Sequence, residues 1–413
     1  MSTAFSTSLS ALNADSTAID VVGNNLANLN TTGFKASTVD FSDLMSQQLG
    51  SGSGNGQVGM GVGQVATVQD FSQGSVTTTG AALDAAIQGN GFFVVKDSSN
   101  TQLYTRDGSF QLDANGNLLT VTGDNVQGWT ATNGVVDTNG AVGNLTVPIG
   151  AVIAPKASTT ISMNVNLDSS TATGGIFSAP IQVYDSQGAA HTLTVTYTET
   201  APNSWGYTVT IPAADLAKGG NTSLASGTLT FDSSGALTLP AATAPVAIPA
   251  AGLADGAADL KLSWNLYDST GKPEITQYAQ TSGMSSPVQD GNAAGQVSQV
   301  SIQNGGLIVA KYNNGLQVTL GQLAVASITN PTSLVQVGNN NLQASAATAQ
   351  AALGVAGANG RGQIEAGSLE ASNTDMASEF TKLLTYERSY QAASRVITTS
   401  DTLAQETVNL VHP

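Results

Sequence analysis

The sequence predicts a mainly β protein with α-helical termini, in which the two ends pair as a coiled coil and a β-domain between them is interrupted by a second, inserted β-domain. Three observations carry this. Helical periodicity is confined to the two ends, explicit hairpin-turn chemistry fills the middle, and the composition favours many short strands. At 413 residues the chain exceeds what one hydrophobic core supports, so several domains are expected. Its 41% hydrophobic content is mostly small residues, with 5% aromatic and 45 glycines, which suits strands and turns better than large helical bundles.

Near the start, Phe5, Leu9, Leu12, Ile19, Val22, Leu26 and Leu29 recur at spacings of three, four or seven, a narrow apolar stripe on a helix otherwise made of Ser, Thr, Asn and Asp. Near the finish, Met376, Phe380, Leu383, Tyr390, Ile397, Ala404, Val408 and Val411 repeat the pattern almost in heptads. Neither stripe can be buried by its own helix. An isolated amphipathic helix gains little without a tertiary partner, so residues 1–30 and 368–413 are predicted to pair.

Residues 31–75 read as a Gly-rich extended connector, centred on GSGSGNGQVGMGVGQ at 50–64. Strands then alternate with turns. LYTR-DG-SFQL predicts a hairpin at Asp107–Gly108 and LDANGNLLTV another at Asn115–Gly116. IQVYDSQGAAHTLTVTY and GTLTFDSSGALTL predict two more. The style of 76–149 resumes at 296–367, so these form one inner β-domain and 150–295 an inserted outer one.

Charge and residue usage exclude several function classes. The formal net charge is −16, from 28 acidic against 12 basic residues with no basic cluster, which argues against nucleic acid and anionic membrane partners. Cysteine is absent, removing disulfides, thiolate chemistry and Cys-based metal sites. No window is long and apolar enough for a membrane span, and no cleaved signal peptide is expected at the N-terminus. The two histidines, His191 and His412, assemble into no catalytic triad or two-His metal set, and His191 is expected at a surface or strand edge. Asp113, Asn115, Asn117 and Asp124 superficially match calcium-loop spacing, but the sixth-position glycine and the twelfth-position glutamate are lacking, so a β-turn is expected. The glycines of VGMGVG lack the Lys-Ser/Thr of a phosphate cradle. No catalytic residue, cofactor or metal is therefore expected, and the paired carboxylates of a carbohydrate-active enzyme find no motif.

One feature resists a purely local reading: four asparagines, Asn24, Asn25, Asn28 and Asn30, crowd the end of the first helical pattern, where propensity disfavours them. The stretch ALNADSTAIDVVGNNLANLNTTGFKAS, ending in Thr32, Gly33, Phe34 and Lys35, resembles the N-terminal signature of the bacterial flagellar axial proteins, the rod and hook family. YTRDGSFQLDANGNLLTVTGDNVQGW at 104–129 is similar to that family's strand block. GSLEASNTDMASEFTKLLTYERSYQAASRVITTSDTLAQETVNLV at 367–411 is similar to its C-terminal helix and lead-in. The hairpin at 181–197 and LGQLAVASITNPTSLVQVGNNNLQAS at 320–345 point to the hook members, while the distal rod members share both terminal signatures and form the alternative.

The resemblance implies a structural subunit of the flagellar hook, not an enzyme, polymerising with copies of itself into a curved tube that serves as a universal joint. It implies rod and hook–filament junction proteins at the two ends, and a hook cap and the flagellar type III export apparatus during assembly. The location would be the hook at the cell surface. Phe5, Leu9, Leu12, Ile19, Leu26, Met376, Phe380, Leu383, Tyr390, Ile397 and Val408, with Asn24, Asn25, Asn28 and Phe34, are then the expected subunit-assembly residues. An amide carries donors and an acceptor and can serve a packed boundary without the desolvation cost of a charge. Capping of the helix end by Asn28 and Asn30 is the plainer reading, and both roles can hold.

Overall fold

The computed structural model describes residues 3–44, 47–48, 57–63, 65–242, 245–250 and 252–411. It divides into two units: residues 1–149 with 299–310 and 318–413, and residues 150–298 with 311–317.

In the first unit, helix α1 (Thr3–Ala27, 25 residues) packs against helix α2 (Met376–Val411, 36 residues). At 1.5 Å of rise per residue they extend about 37 and 54 Å. The last turn of α1 meets the first turn of α2 through Asn25 and Glu379, so the helices run antiparallel and α2 outlasts its partner. Residues 401–408 are all exposed.

Burial along α1 coincides with the expected stripe only at Val22. Its buried residues are Ser8, Ala14, Ala18, Val22 and Asn25, whereas Phe5, Leu12, Ile19 and Leu26 are half-buried and Leu9 is exposed. On α2, Glu379 is buried and Leu383 and Ile397 are half-buried, while Met376, Phe380, Tyr390 and Val408 are exposed. Small side chains let two helix axes approach closely, and larger ones are displaced to the flanks. Of the α1 stripe read from periodicity, Val22 is thus buried, Leu9 exposed and the others half-buried.

Residues 31–75, expected as an extended connector, carry pairing of their own. Ser37–Asp40 pairs antiparallel with Ala66–Gln69, and Gln47–Gln48 with Gln57–Val58. This ribbon lies back on the helices: the Val62 N–H donates to Ser10 Oγ at 3.2 Å, and the Phe41 ring lies 6.0 Å from that of Tyr386. Of the Gly-rich run, residues 50–56 and 64 lie outside the described residues, as does His412.

The β part of this unit is built around Phe92–Lys96, which pairs with Gln102–Thr105 and Asn125–Thr132. It is buried on both faces. Phe93 and Val95 enter one apolar cluster with Leu103, Phe110 and Ile364, while Phe92 and Val94 enter another with Tyr104, Trp129 and Leu342. Asn115–Gly116 turns between Phe110–Leu112 and Leu118–Thr120, as read. Asp107–Gly108 does not make the expected hairpin. Gln102–Thr105 already has partners on both edges, Phe92–Lys96 and Asn341–Gln343, so Phe110–Leu112 pairs elsewhere and Asp107–Gly108 is a crossover.

The second unit is a sandwich. One sheet is a sequential antiparallel meander of Ile176–Tyr184, Ala190–Ala201, Ser204–Thr210, Ser223–Phe231 and Leu237–Leu239. The other combines Val246–Ala250, Leu260–Asn265, Thr160–Asp168, Ile275–Tyr278 and Gly283–Gln289. The turns at 185–189 and 232–236 are the expected hairpins. Alternating inward residues of both sheets form one core, in which Trp264 meets Tyr207 edge-on with ring centroids 5.4 Å apart.

Candidate assembly junction

The three stretches that carry the family resemblance, from the two ends of the chain and its first third, meet at one point. Glu370 of the Leu-Glu-Ala-Ser-Asn run is fully buried. Its Oε1 accepts from Lys35 Nζ at 2.6 Å and from the Gly74 N–H at 2.9 Å, and its Oε2 from Arg106 Nη1 at 3.0 Å. Lys35 also donates to the Ser72 carbonyl at 2.6 Å, and Arg106 Nη2 to that of Gly89 at 2.8 Å. The guanidinium stands 5.3 Å from the Phe92 ring centre. Gly33 makes the approach sterically allowed. Its φ is +68°, its N–H donates to the Glu370 carbonyl at 2.8 Å, and a Cβ there would sit 2.6 Å from the Arg106 carbonyl carbon.

Two buried cations share one buried carboxylate. Burial pushes the Lys35 ammonium down from its usual range, and the hydrogen bond and charge of Glu370 offset only part of that. Burial likewise lowers Arg106, again opposed by Glu370, and a guanidinium remains charged throughout. Such a triad adds little net stability over an apolar replacement, but taking away its single anion strands two charges in a dry site. It specifies geometry.

Asn25 shows what an amide does here. Its Oδ1 accepts from the Ser37 N–H at 2.9 Å while its Nδ2 donates to the Ser37 carbonyl at 2.8 Å and to Glu379 Oε2 at 2.9 Å. It reads one residue's backbone as a neighbouring strand would, and ties both helices to the ribbon. Glu379 Oε1 in turn accepts from Lys382 Nζ at 2.6 Å. Asn373 repeats the device: its Oδ1 accepts from the Ala36 N–H at 2.8 Å and its Nδ2 donates to the Asp70 carbonyl at 2.8 Å.

The expected assembly residues therefore separate. Asn25 and Phe34 are buried within the chain, so neither is presented to a neighbour. Asn28 closes the helix: its Nδ2 donates to the Asn24 carbonyl at 3.0 Å and its Oδ1 accepts from Thr31 Oγ1 at 3.0 Å. Asn24 is exposed, on a cleft shared with Asn28, Gln69, Arg106, Asn339 and Asn340. Leu9 on α1 and Met376, Phe380, Tyr390 and Val408 on α2 are exposed, whereas Phe5, Leu12, Ile19, Leu26, Leu383 and Ile397 are half-buried. Lys35, Arg106, Glu370, Asn373 and Glu379 were not singled out from sequence as a set, although all five fall inside the three stretches that carry the resemblance.

Elsewhere, Asp113 Oδ1 accepts from the N–H groups of Asn115 and Asn117 at 2.9 and 2.7 Å, the expected turn. His191 is not at a surface or strand edge but buried, because it shares the inward parity of Leu193, Val195 and Tyr197 along its strand.

Comparison with known proteins follows the same layout. Four family models match in order: flagella basal body rod protein over 5–35, the flagellar hook protein FlgE/F/G D1 domain over 86–169, the flagellar basal body protein FlaE D2 domain over 160–292, and the flagellar basal body rod FlgEFG protein C-terminal over 365–410. The flagellar hook protein FlgE of Escherichia coli is 32% identical over 98% of this chain and 100% of its own length. That of Salmonella typhimurium is 33% identical over 98% and 99%. A crystal structure of Helicobacter pylori flagellar hook protein FlgE2 aligns over 65% of this chain and 93% of its own, with a TM-score of 0.49 and 14% identity. With near-complete coverage of both sequences at about a third identity, and with family models matching at 5–35, 86–292 and 365–410, the chain belongs to the flagellar hook protein FlgE family.

Proposed function

We propose that this chain is the structural subunit of the flagellar hook, polymerising through its paired terminal helices into a curved tube that transmits motor torque to the filament as a universal joint. The observation that carries the reading is the exposed apolar surface of the second helix. Met376, Phe380, Leu384, Tyr390, Leu403 and Val408 are exposed on α2, an apolar surface that isolated soluble helices do not keep. Copies of the same chain, packed around a tube axis, would cover it. Phe5, Leu9, Leu12, Ile19 and Leu26 on α1 would meet neighbours in the same way, with Asn24 at the polar edge. The role is structural, and the protein acts outside the membrane, at the hook.

Partners at the two ends of the tube would be rod and hook–filament junction proteins, with a hook cap and the flagellar type III export apparatus during growth. In bending, subunits on the inside of the curve shorten their spacing and those outside lengthen it, and the Gly-rich segment at 50–63 would absorb the difference. Electron microscopy of purified polymer tests the assignment. Curved hollow tubes are expected, straight short ones would point to a rod component, and none at all would overturn it. Replacing residues 50–63 by a helix-forming sequence should give straight or nonpropulsive hooks, and unchanged swimming would refute the bending role.

A further inference from the structure

In the second unit, three loops bring carboxylates around the ring of His191. The hairpin turn supplies Asp185, the turn after Thr210 supplies Asp215, and the loop before Leu260 supplies Asp255. His191 Nε2 lies 3.1 Å from Asp185 Oδ2 and 3.7 Å from Asp255 Oδ2, and Nδ1 lies 3.3 Å from Asp215 Oδ2. The His191 and Asp185 side chains are 6% and 0% exposed, whereas those of Asp215 and Asp255 are 29% and 32% exposed. The pocket is closed below and open to water on one side.

The arrangement is unbalanced as it stands. One Nε2–H can serve only one of the two carboxylates facing it, and the buried Nδ1 has no aligned hydrogen-bond partner. Among the described residues no lysine or arginine pairs with Asp185, Asp215 or Asp255, so even a charged imidazole leaves two negative charges uncompensated. Asp185 is already committed through its other oxygen, which accepts from the N–H groups of Gln187 and Ala189 at 2.7 and 2.9 Å. Its Oδ2 is therefore held facing the ring.

We propose that Asp185, His191 and Asp255 bind a first-row divalent cation such as Zn2+, with Asp215 positioning the imidazole through Nδ1. Ligand atoms at about 2.0–2.2 Å from a tetrahedral zinc stand about 3.3–3.6 Å apart. The observed 3.1 and 3.7 Å separations bracket that, and all three ligand atoms lie within 4.8 Å of one another. Asp255, on its partly exposed loop, has to move, and Asp215, which stands 3.3 Å from Nδ1 without an aligned hydrogen bond, has to turn its carboxylate into line. A carboxylate on the far nitrogen fixes the proton at Nδ1 and leaves the Nε2 lone pair for the metal, the usual support of a histidine ligand. An imidazole in the set selects transition metals over Ca2+ and Mg2+, which take oxygen ligands. With the imidazole neutral, a divalent charge offsets two of the three carboxylates and leaves one negative charge, where a protonated ring alone leaves two. The remaining coordination positions, on the open side, would be water.

Calorimetric titration of the full-length chain with Zn2+ at about pH 7.5, where the ligands can shed protons, tests this directly. One Zn2+ per chain is expected, with Co2+ in its place giving a visible absorption band and a hundredfold excess of Ca2+ failing to displace it. His191→Ala should abolish binding. Asp255→Asn, at a partly exposed side chain outside the apolar core, should weaken it at least tenfold, and Asp215→Asn about ten- to hundredfold at unchanged stoichiometry. No uptake, equal uptake by Asp255→Asn and the parent chain, or displacement by equimolar Ca2+ would each overturn the proposal. Should His191→Ala fail to fold, the Asp255→Asn comparison still decides.

Discussion

The helix pair and the inserted sandwich place their side chains in opposite ways. In the sandwich the largest apolar residues, Trp205, Trp264 and Tyr197, are the most deeply buried. In the helix pair the buried positions are Ala14, Ala18, Val22, Asn25 and Glu379, and the large residues Phe380, Leu384, Tyr390, Leu403 and Val408 are outside. The sandwich meets its own hydrophobic demand. The pair has met its polar demand internally and leaves apolar surface for something else to cover. Two parts of one chain thus obey the same physics with different boundaries, one closed within the domain and the other left open at its surface.

The sharpest break of this contrast comes from the buried anion. Glu370→Ala should destabilise the first unit by about 3–5 kcal/mol by stranding Lys35 and Arg106, while leaving the sandwich untouched. Trp129 reports the first unit and Trp205 with Trp264 the second, so denaturation of single-tryptophan variants separates the two. An equal shift in both would dissolve the distinction. Next in size, Ala18→Leu should force the seam apart at about 1–3 kcal/mol, read as lost hydrogen-exchange protection along α1; undiminished protection would mean that the seam is not set by small residues. On the outer shoulder, Phe380→Ser with Tyr390→Ser should change monomer stability by no more than about 0.5 kcal/mol yet abolish polymer in sedimentation assays. Polymer of normal yield from that variant would remove the reason for its exposed apolar residues.

The smallest effect belongs to the sandwich and to acid. Burial would raise the Asp290 carboxyl, but hydrogen bonds from the Thr160 N–H, the Thr159 hydroxyl and N–H and Lys156 outweigh it and hold the group well below the carboxylate range. Its stabilisation is complete above the ordinary value of 3.8 and drains away as pH falls below it. Asp290→Asn should flatten that limb of the acid-unfolding profile of the second unit, and an unaltered limb would show that other carboxylates control it.

Much of this architecture was legible in the chain. Periodicity located both helices, and Asx-type turn chemistry located the hairpins around 113–117, 185–189 and 232–236. It failed at Asp107–Gly108 because a two-residue turn signal is local, whereas the pairing partner is decided by which strand edges remain free. The stripes read on the helices coincide only partly with the buried positions for a related reason. A search for large apolar residues finds the face that something must cover, and nothing in the spacing says whether the partner is another helix of the chain or another copy. The buried triad was harder still, since Lys35 and Arg106 lie 335 and 264 residues from Glu370. His191 could have been placed, because it continues the inward alternation of Leu193, Val195 and Tyr197.

That separation has a consequence for how the subunit comes into being. A chain synthesised or threaded from its N-terminus presents Lys35 and Arg106 long before Glu370 arrives, so both cations stay hydrated until nearly the whole polypeptide is delivered. The late glutamate closes the junction: a copy cut short of it leaves Lys35 and Arg106 without their shared carboxylate.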